Sequence, residues 1–198
     1  MIRAAHNVTG KPWPRRLMED RNWKPAPRYG PAVPVYQVPP PHRQVLFRSS
    51  KHPLSNFFPC NIRMGGLRYW SSEHAYQCHK ALCTGEVNLF TKIYRARTGA
   101  HAKLLSKHLS LRDESRTVWL QHRVPVMKMI LELKYQQVDA FREALSSQDK
   151  LYVEATGDEF WGCGIAAHIL GWKARTTYPG MNTLGRLMTQ LARAKSLH

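Results

Sequence analysis

Apolar and polar positions alternate with the period of strands in a few short runs and with that of helices over most of the chain. Residues 45–48 and 151–155 read as strands, and 61–64 and 67–70 flank Gly65 and Gly66, a dipeptide that turns a tight hairpin. Apolar residues three and four apart predict helices at 87–96, 100–108, 113–135 and 138–145, with Thr98 and Asp113 as starts. Pro125 falls inside the third of these and is expected to kink or divide it. A last helix, 183–195, has Leu184, Leu187, Met188 and Leu191 on one stripe and Asn182 as its cap. Pro53 and Pro59 break the loop between the first strand and the hairpin. The stretch 165–180 is poorly patterned, and the chain shows no internal repeat.

One further helix follows the hairpin directly, in the run WSSEHAYQCHK at 70–80. Ser71 or Ser72 can cap it, and the 3.6-residue turn then gathers Glu73, Tyr76, Gln77 and Lys80 on one side. Ala75, Cys78, Ala81 and Leu82 fall on the other. Glu73 and Lys80 are two turns apart, roughly 10 Å along the axis, too far for a simple ion pair and wide enough to flank a sugar. Spacing alone reads equally as the wet face of an amphipathic helix, and by itself favours that reading.

Composition narrows the classes. The chain has 198 residues, 43% of them hydrophobic, enough for one domain with a substantial core and an appendage. No apolar run approaches the roughly 20 residues that span a bilayer, so no membrane partner is expected, and an intracellular location, the cytoplasm or else the nucleus, is the expectation. Thirty Lys and Arg against thirteen Asp and Glu give a formal charge of +17, which favours polyanions and makes nucleic acid or a phosphate-bearing ligand the first partner to consider. Cys60, Cys78, Cys83 and Cys163 show no CxxC pairing and read as reduced thiols; His74 with Cys78, and His79 or Cys83 nearby, is the one combination that resembles zinc spacing, and no metal site is expected from it. Residues 1–43 hold most of the prolines and read as an extended or disordered basic tail, in which Arg15, Arg16, Arg21, Lys24 and Arg28 interleave with Trp13, Trp23 and Tyr29. That mixture suits single strands of nucleic acid, and it suits a plain solvated leader at least as well. Residues 44–198 form the expected domain.

Six separated motifs then resemble one family. PLSNFFP at 53–59, SSEHAYQCHKA at 71–81, Trp119, MKMILELKY at 127–135, VEATGDEFWGCG at 153–164 and GMNTLGRLM at 180–188 resemble, in order and spacing, the NADAR (YbiA-like) family. The resemblance runs from about Phe47 to Leu191. It implies an α+β fold, a mainly α-helical single domain with a small antiparallel sheet, and an N-glycosidase acting on ribose. One branch of the family removes ADP-ribose from modified guanine; another cleaves ribosylated pyrimidine intermediates of riboflavin synthesis. Ser55, Asn56 and Phe57 match the SNF loop of the family, and Glu73, Gln77 and Lys80 match its EHxxQxxK helix. Glu154, Asp158, Trp161 and Gly162 match ExxxDxxWG, and Asn182, Leu184 and Gly185 match NxLG. An arginine frequent near position 192 is displaced here to Arg193, which puts its role in doubt.

Cleaving a ribose–base bond passes through an oxocarbenium-like state and expels a poor amine leaving group, so it needs a proton donor on one side and a carboxylate or nucleophile on the other. Under that resemblance the catalytic candidates are Glu73 as acid, base or electrostatic partner, Lys80 as ammonium donor or as the neutral amine of a Schiff base, and Asp158 for ribose hydroxyls. Asp158 reads equally as a turn cap. Substrate-binding candidates are Ser55, Asn56, Phe57, Gln77, Trp119, Glu154, Trp161, Gly162 and Asn182, with Phe57, Trp119 and Trp161 offering a stacking slot and each alone reading more readily as core. The scheme needs no metal and no cofactor. The partners it implies are ADP-ribosylated guanine, with the charge tilting the substrate toward an oligonucleotide, while the oligomeric state stays open. The alternatives are the riboflavin intermediate, for which +17 has no obvious use, and a module that binds ADP-ribose or nucleic acid without turnover.

Overall fold

A computed structural model describes residues 38–109, 113–146 and 148–196. The tail expected over 1–43 lies outside the described residues as far as residue 37, and Pro41–Arg43 form a single 3-10 turn. The strands are β1 (Gln44–Phe47), β2 (Ile62–Met64), β3 (Leu67–Tyr69) and β4 (Leu151–Glu154). The helices are α1 (Ser72–Cys83), α2 (Val87–Tyr94), α3 (Gly99–Ser106), α4 (Asp113–Gln137), α5 (Asp139–Ala144), α6 (Ala167–Leu170) and α7 (Thr183–Lys195). The fold is α+β and mainly helical, as the resemblance implies. Its strands form two separate pairs, β2–β3 antiparallel and β1–β4 parallel.

The starts of α1 and α3 follow from capping side chains. Ser71 Oγ accepts from the His74 amide and Thr98 Oγ1 from that of His101, each at 3.1 Å, which satisfies one of the donors a helix start leaves open. Contrary to expectation, Pro125 does not divide α4, which runs unbroken from Asp113 to Gln137. Proline removes a single amide donor, and the bonds of a 25-residue helix on either side keep the ladder in register.

The described chain gathers into two compact units, one of Cys60–Leu133 and the other of residues 38–59 with 134–196. In the first, α1 packs on α2 and α3, with Ala75, Cys78, Ala81, Ile93, Ala96 and Ala102 buried. Tyr69, His74 and Tyr94 join the hairpin to this core through ring contacts of 5.6–6.0 Å. In the second, β4 lies between β1 and α7. Val153, Ala155, Cys163, Ala167 and Leu170 form a buried cluster there. The edge of β4 that β1 leaves open is closed by side chains of the α7 segment: Asn182 Oδ1 accepts from the Glu154 amide (3.0 Å), Asn182 Nδ2 donates to the Tyr152 carbonyl (2.8 Å), and Thr189 Oγ1 accepts from the Tyr152 amide (3.2 Å). Those bonds take the place of a third strand, since buried backbone groups must be paired. Gly185 makes the close approach feasible; a Cβ there would lie 2.0 Å from the Tyr152 carbonyl oxygen.

Candidate active site

In the first unit α1 is buried on its polar side as well as its apolar one. Glu73 and Gln77 are each 6% exposed, and Gln77 Nε2 donates to Glu73 Oε1 at 2.8 Å. The wet-face reading of this helix is therefore wrong: nine of its twelve residues, from Ser72 to Ala81, are buried. Gln77 Oε1 finds no donor among the described residues, an arrangement that costs stability unless something else fills it. Two turns from Glu73, Lys80 is half-buried. Burial pulls its pKa below the ordinary lysine value; the Glu73 carboxylate opposes that shift, and Lys103 adds to it. Trp119 is buried with its ring 5.0 Å from that of Tyr76, on the same side of α1 as Glu73 and Gln77.

His74 and Cys78 are core residues. The ring of His74 accepts from the Trp70 amide at Nδ1 and, as the Nε2–H tautomer, donates to the Ile93 carbonyl, so both nitrogens are used. Burial pushes the thiols of Cys78, Cys83 (to about 11) and Cys163 up, which leaves none of the three a ready nucleophile at neutral pH.

In the second unit the SNF loop is held from beneath by Lys134, a residue that the motif reading did not single out. Its side chain is 0% exposed; Nζ donates to the carbonyls of Pro53 (2.7 Å) and Ser55 (2.8 Å) and lies 4.5 Å from the centre of the Phe141 ring. Ser55 Oγ in turn accepts from the Phe57 amide at 3.1 Å, and Ser55 and Asn56 are buried while Phe57 is half-buried. The sequence did contain a signal for Lys134. It continues the stripe Met127, Ile130, Leu131 at helical spacing, a lysine at a core position.

The ExxxDxxWG stretch divides its labour. Glu154 is buried at the end of β4, where its amide is bonded to Asn182. Asp158 is exposed, and its Oδ1 caps a turn by accepting from the amides of Phe160 (2.9 Å) and Trp161 (2.7 Å). This is the turn cap expected of Asp158. Trp161 is half-buried against Phe160, edge to face at 4.9 Å. At Gly162 a Cβ would meet Thr156 Oγ1 at 2.1 Å, so the glycine serves a tight crossing of the loop. Asn182 stands at the cap position of α7 in the left-handed region (φ 47°) but makes no capping bond, because both ends of its amide are committed to β4. That commitment also weighs against a direct substrate contact. Arg193 is exposed, whereas Arg186 on the same helix is half-buried, with its pKa lowered by burial.

The sequence profile of the NADAR domain matches residues 45–195. The chain belongs to the NADAR domain family. This NADAR domain is 34% identical over 137 residues to a riboflavin biosynthesis protein of Vibrio vulnificus, a match that covers 68% of the chain and spans 33% of the length of that relative. An N-glycosidase of Acanthamoeba polyphaga mimivirus is 29% identical over 147 residues, covering 71% of the chain and 85% of the viral protein. The solved structure of the Escherichia coli protein YbiA has the same fold, with a TM-score of 0.62 at 24% identity over 81% of this chain and 89% of that one. Among the described residues of the NADAR domain no helix is long and apolar enough to cross a membrane, and no group of three or more His, Cys, Asp and Glu is placed to hold a metal ion.

Proposed function

We propose that the protein is an N-glycosidase that hydrolyses the ribose–base bond of ADP-ribosylated guanine, in nucleic acid or guanosine nucleotides, and releases ADP-ribose. The observation that carries this reading is the buried Glu73–Gln77 pair, with an unmet amide oxygen, two turns from a half-buried lysine of lowered pKa. A carboxylate and an amine so placed match the needs of glycosidic cleavage, and a substrate N–H or O–H can complete Gln77. The mimivirus relative bears the name of such an activity.

In this mechanism Glu73, protonated, delivers its proton to the departing base nitrogen while the C1′–N bond breaks and its electron pair leaves with the base. The neutral amine of Lys80 forms a bond to C1′, and as the C1′–O4′ bond breaks one N–H proton of that amine passes to O4′, giving a protonated imine with an open sugar. Water adds to C1′, the C1′–N bond breaks to restore the neutral amine and release ADP-ribose as its aldehyde, and the remaining proton returns to the Glu73 carboxylate. Ser55, Asn56, Phe57, Trp119, Glu154, Asp158 and Trp161 are proposed to bind substrate rather than to transfer protons. A ribosylated pyrimidine is the alternative substrate, favoured by the name of the Vibrio relative.

Chromatography of reactions on an ADP-ribosylated guanine oligonucleotide and on the ribosylated pyrimidine tests both. Free ADP-ribose from the first is expected, together with a borohydride-trapped sugar adduct that disappears in Lys80→Ala. Cleavage of the pyrimidine alone moves the substrate to the alternative. Binding of ADP-ribose with no product from either substrate leaves a non-catalytic module and overturns the glycosidase reading.

A further inference from the structure

The β2–β3 hairpin sets two arginines side by side on one face. Arg63 and Arg68 are direct cross-strand partners, and both are exposed. Next to a two-residue turn at Gly65 and Gly66, this position is the non-hydrogen-bonded kind, where facing side chains come closest, with Cα atoms about 4.5 Å apart. The Arg68 amide accordingly points away from the ladder and donates to Tyr94 Oη at 3.4 Å. Like charges placed directly opposite each other destabilise a strand pair. The partners on either side, Ile62 with Tyr69 and Met64 with Leu67, turn inward, so the two arginines occupy the outer face of the hairpin.

Beside them is an aromatic ring. The Arg68 guanidinium lies 4.2 Å from the centre of the half-buried Trp70 ring. A guanidinium laid on an indole keeps its N–H donors for phosphate while offering flat surface to an unpaired base. From this juxtaposition we infer that the outer face of the β2–β3 hairpin is a contact surface for single-stranded nucleic acid, with Arg63 and Arg68 on backbone phosphates and the Arg68–Trp70 stack under a base. The inference deepens the proposed function and rests on it for the presence of the modified guanine in a strand. An anionic membrane fits less well, because the tip of the hairpin is Gly65–Gly66, both exposed and without an apolar side chain to insert.

The test is fluorescence anisotropy of an unmodified, labelled single-stranded oligonucleotide with the full chain, titrated at several salt concentrations. Arg63→Gln with Arg68→Gln is expected to weaken binding about tenfold or more near 0.1 M salt and to flatten the log–log salt slope by about 1.4, two phosphates at roughly 0.7 each. Trp70→Ala is expected to cost about fivefold or more through lost stacking. The backbone bonds of Trp70 to His74 and Cys60 do not depend on its side chain. Lys173→Gln with Arg175→Gln, which removes the same charge from an exposed loop, should change affinity by less than half as much. The double hairpin variant should keep the wild-type circular dichroism spectrum, so that lost affinity is not read from an unfolded chain. Unchanged affinity and slope, a loss no greater than that of the control, a lowered melting temperature with wild-type binding, or capture by phosphatidylserine vesicles with no oligonucleotide binding would each overturn the inference. Because the oligonucleotide is unmodified, binding is read apart from chemistry. Hairpin-dependent binding without any ADP-ribose release sinks the glycosidase reading alone, and hairpin-independent binding with release from a modified mononucleotide sinks this surface alone.

Discussion

Glu73 is a carboxylate on a buried helix face that accepts a hydrogen bond from Gln77, so its shape and its acid can be separated by substitution. Glu73→Gln keeps the size of the side chain and an oxygen that can accept from Gln77 but removes the acid, so ADP-ribose release is expected to fall by about a hundredfold or more while the cooperative melting transition is kept. A thermal melt and a product assay on the same preparation check both halves; a fall in both marks Glu73 as structural. Lys134 predicts the reverse. Its ammonium bonds two loop carbonyls from a fully buried position, so Lys134→Met, which keeps the stem packed against Phe141, should lower stability by about 2–4 kcal/mol. Urea unfolding monitored by tryptophan fluorescence measures it, and a midpoint within experimental scatter of wild type would rule the clamp out. The two residues differ in how legible they were. Glu73 stands out through the resemblance of its helix to the family motif, whereas its spacing with Gln77 and Lys80 alone favours a wet face, because periodicity cannot tell a buried polar face from a wet one. Lys134 passed unnoticed since a lysine on a stripe is usually read as a snorkelling edge residue.

At the level of elements, what local chemistry decides was legible: the Gly65–Gly66 turn, the caps at Ser71 and Thr98, and the bounds of α2 and α7 to within two residues. The parallel pairing of β1 with β4 was not, because the two strands are joined by more than a hundred residues and no local signal encodes which partner a short strand finds. Nor was the role of Asn182. A polar residue before a helix reads as a cap, but here α7 needs Asn182 to close the edge of β4. Asn182→Ala removes the partners of one amide and one carbonyl and leaves a non-glycine residue at φ 47°, with an expected loss of about 3 kcal/mol or more. Asn182→Gly relieves the backbone and not the bonds, so it should recover only a small part of that loss. Full recovery in Asn182→Gly would show that backbone strain, and not the β4 contact, sets the cost. Gly185→Ala should be at least as damaging, because its Cβ would meet the Tyr152 carbonyl oxygen, a backbone atom that cannot swing aside.

For the whole molecule, acid acts through two routes that share a sign. Burial lowers the pKa of His52, His74 and His79, with Lys134 lowering His52 further and backbone carbonyls partly opposing the shift in the other two. A group whose folded pKa is depressed below its unfolded value binds more protons when unfolded, so stability is complete above about pH 6.5 and falls as the pH drops toward the folded values. His74 shows the reason in atoms: its Nδ1 accepts from the Trp70 amide, and a proton there would set two donors against each other. The second route is charge. The chain carries +17 before any of its ten histidines ionise, and each exposed histidine that does so adds to the repulsion. Salt separates the two, because it screens exposed charges and hardly reaches buried rings. Thermal melts at pH 7.5 and 5.5, in low and high salt, should therefore show a fall in melting temperature that high salt reduces and does not abolish. The residual fall should shrink in His79→Asn, whose amide can still donate to the Ala75 carbonyl that His79 Nδ1 now reaches at 2.8 Å. A fall that vanishes entirely in high salt would assign the acid sensitivity to net charge and leave the buried histidines without a part in it.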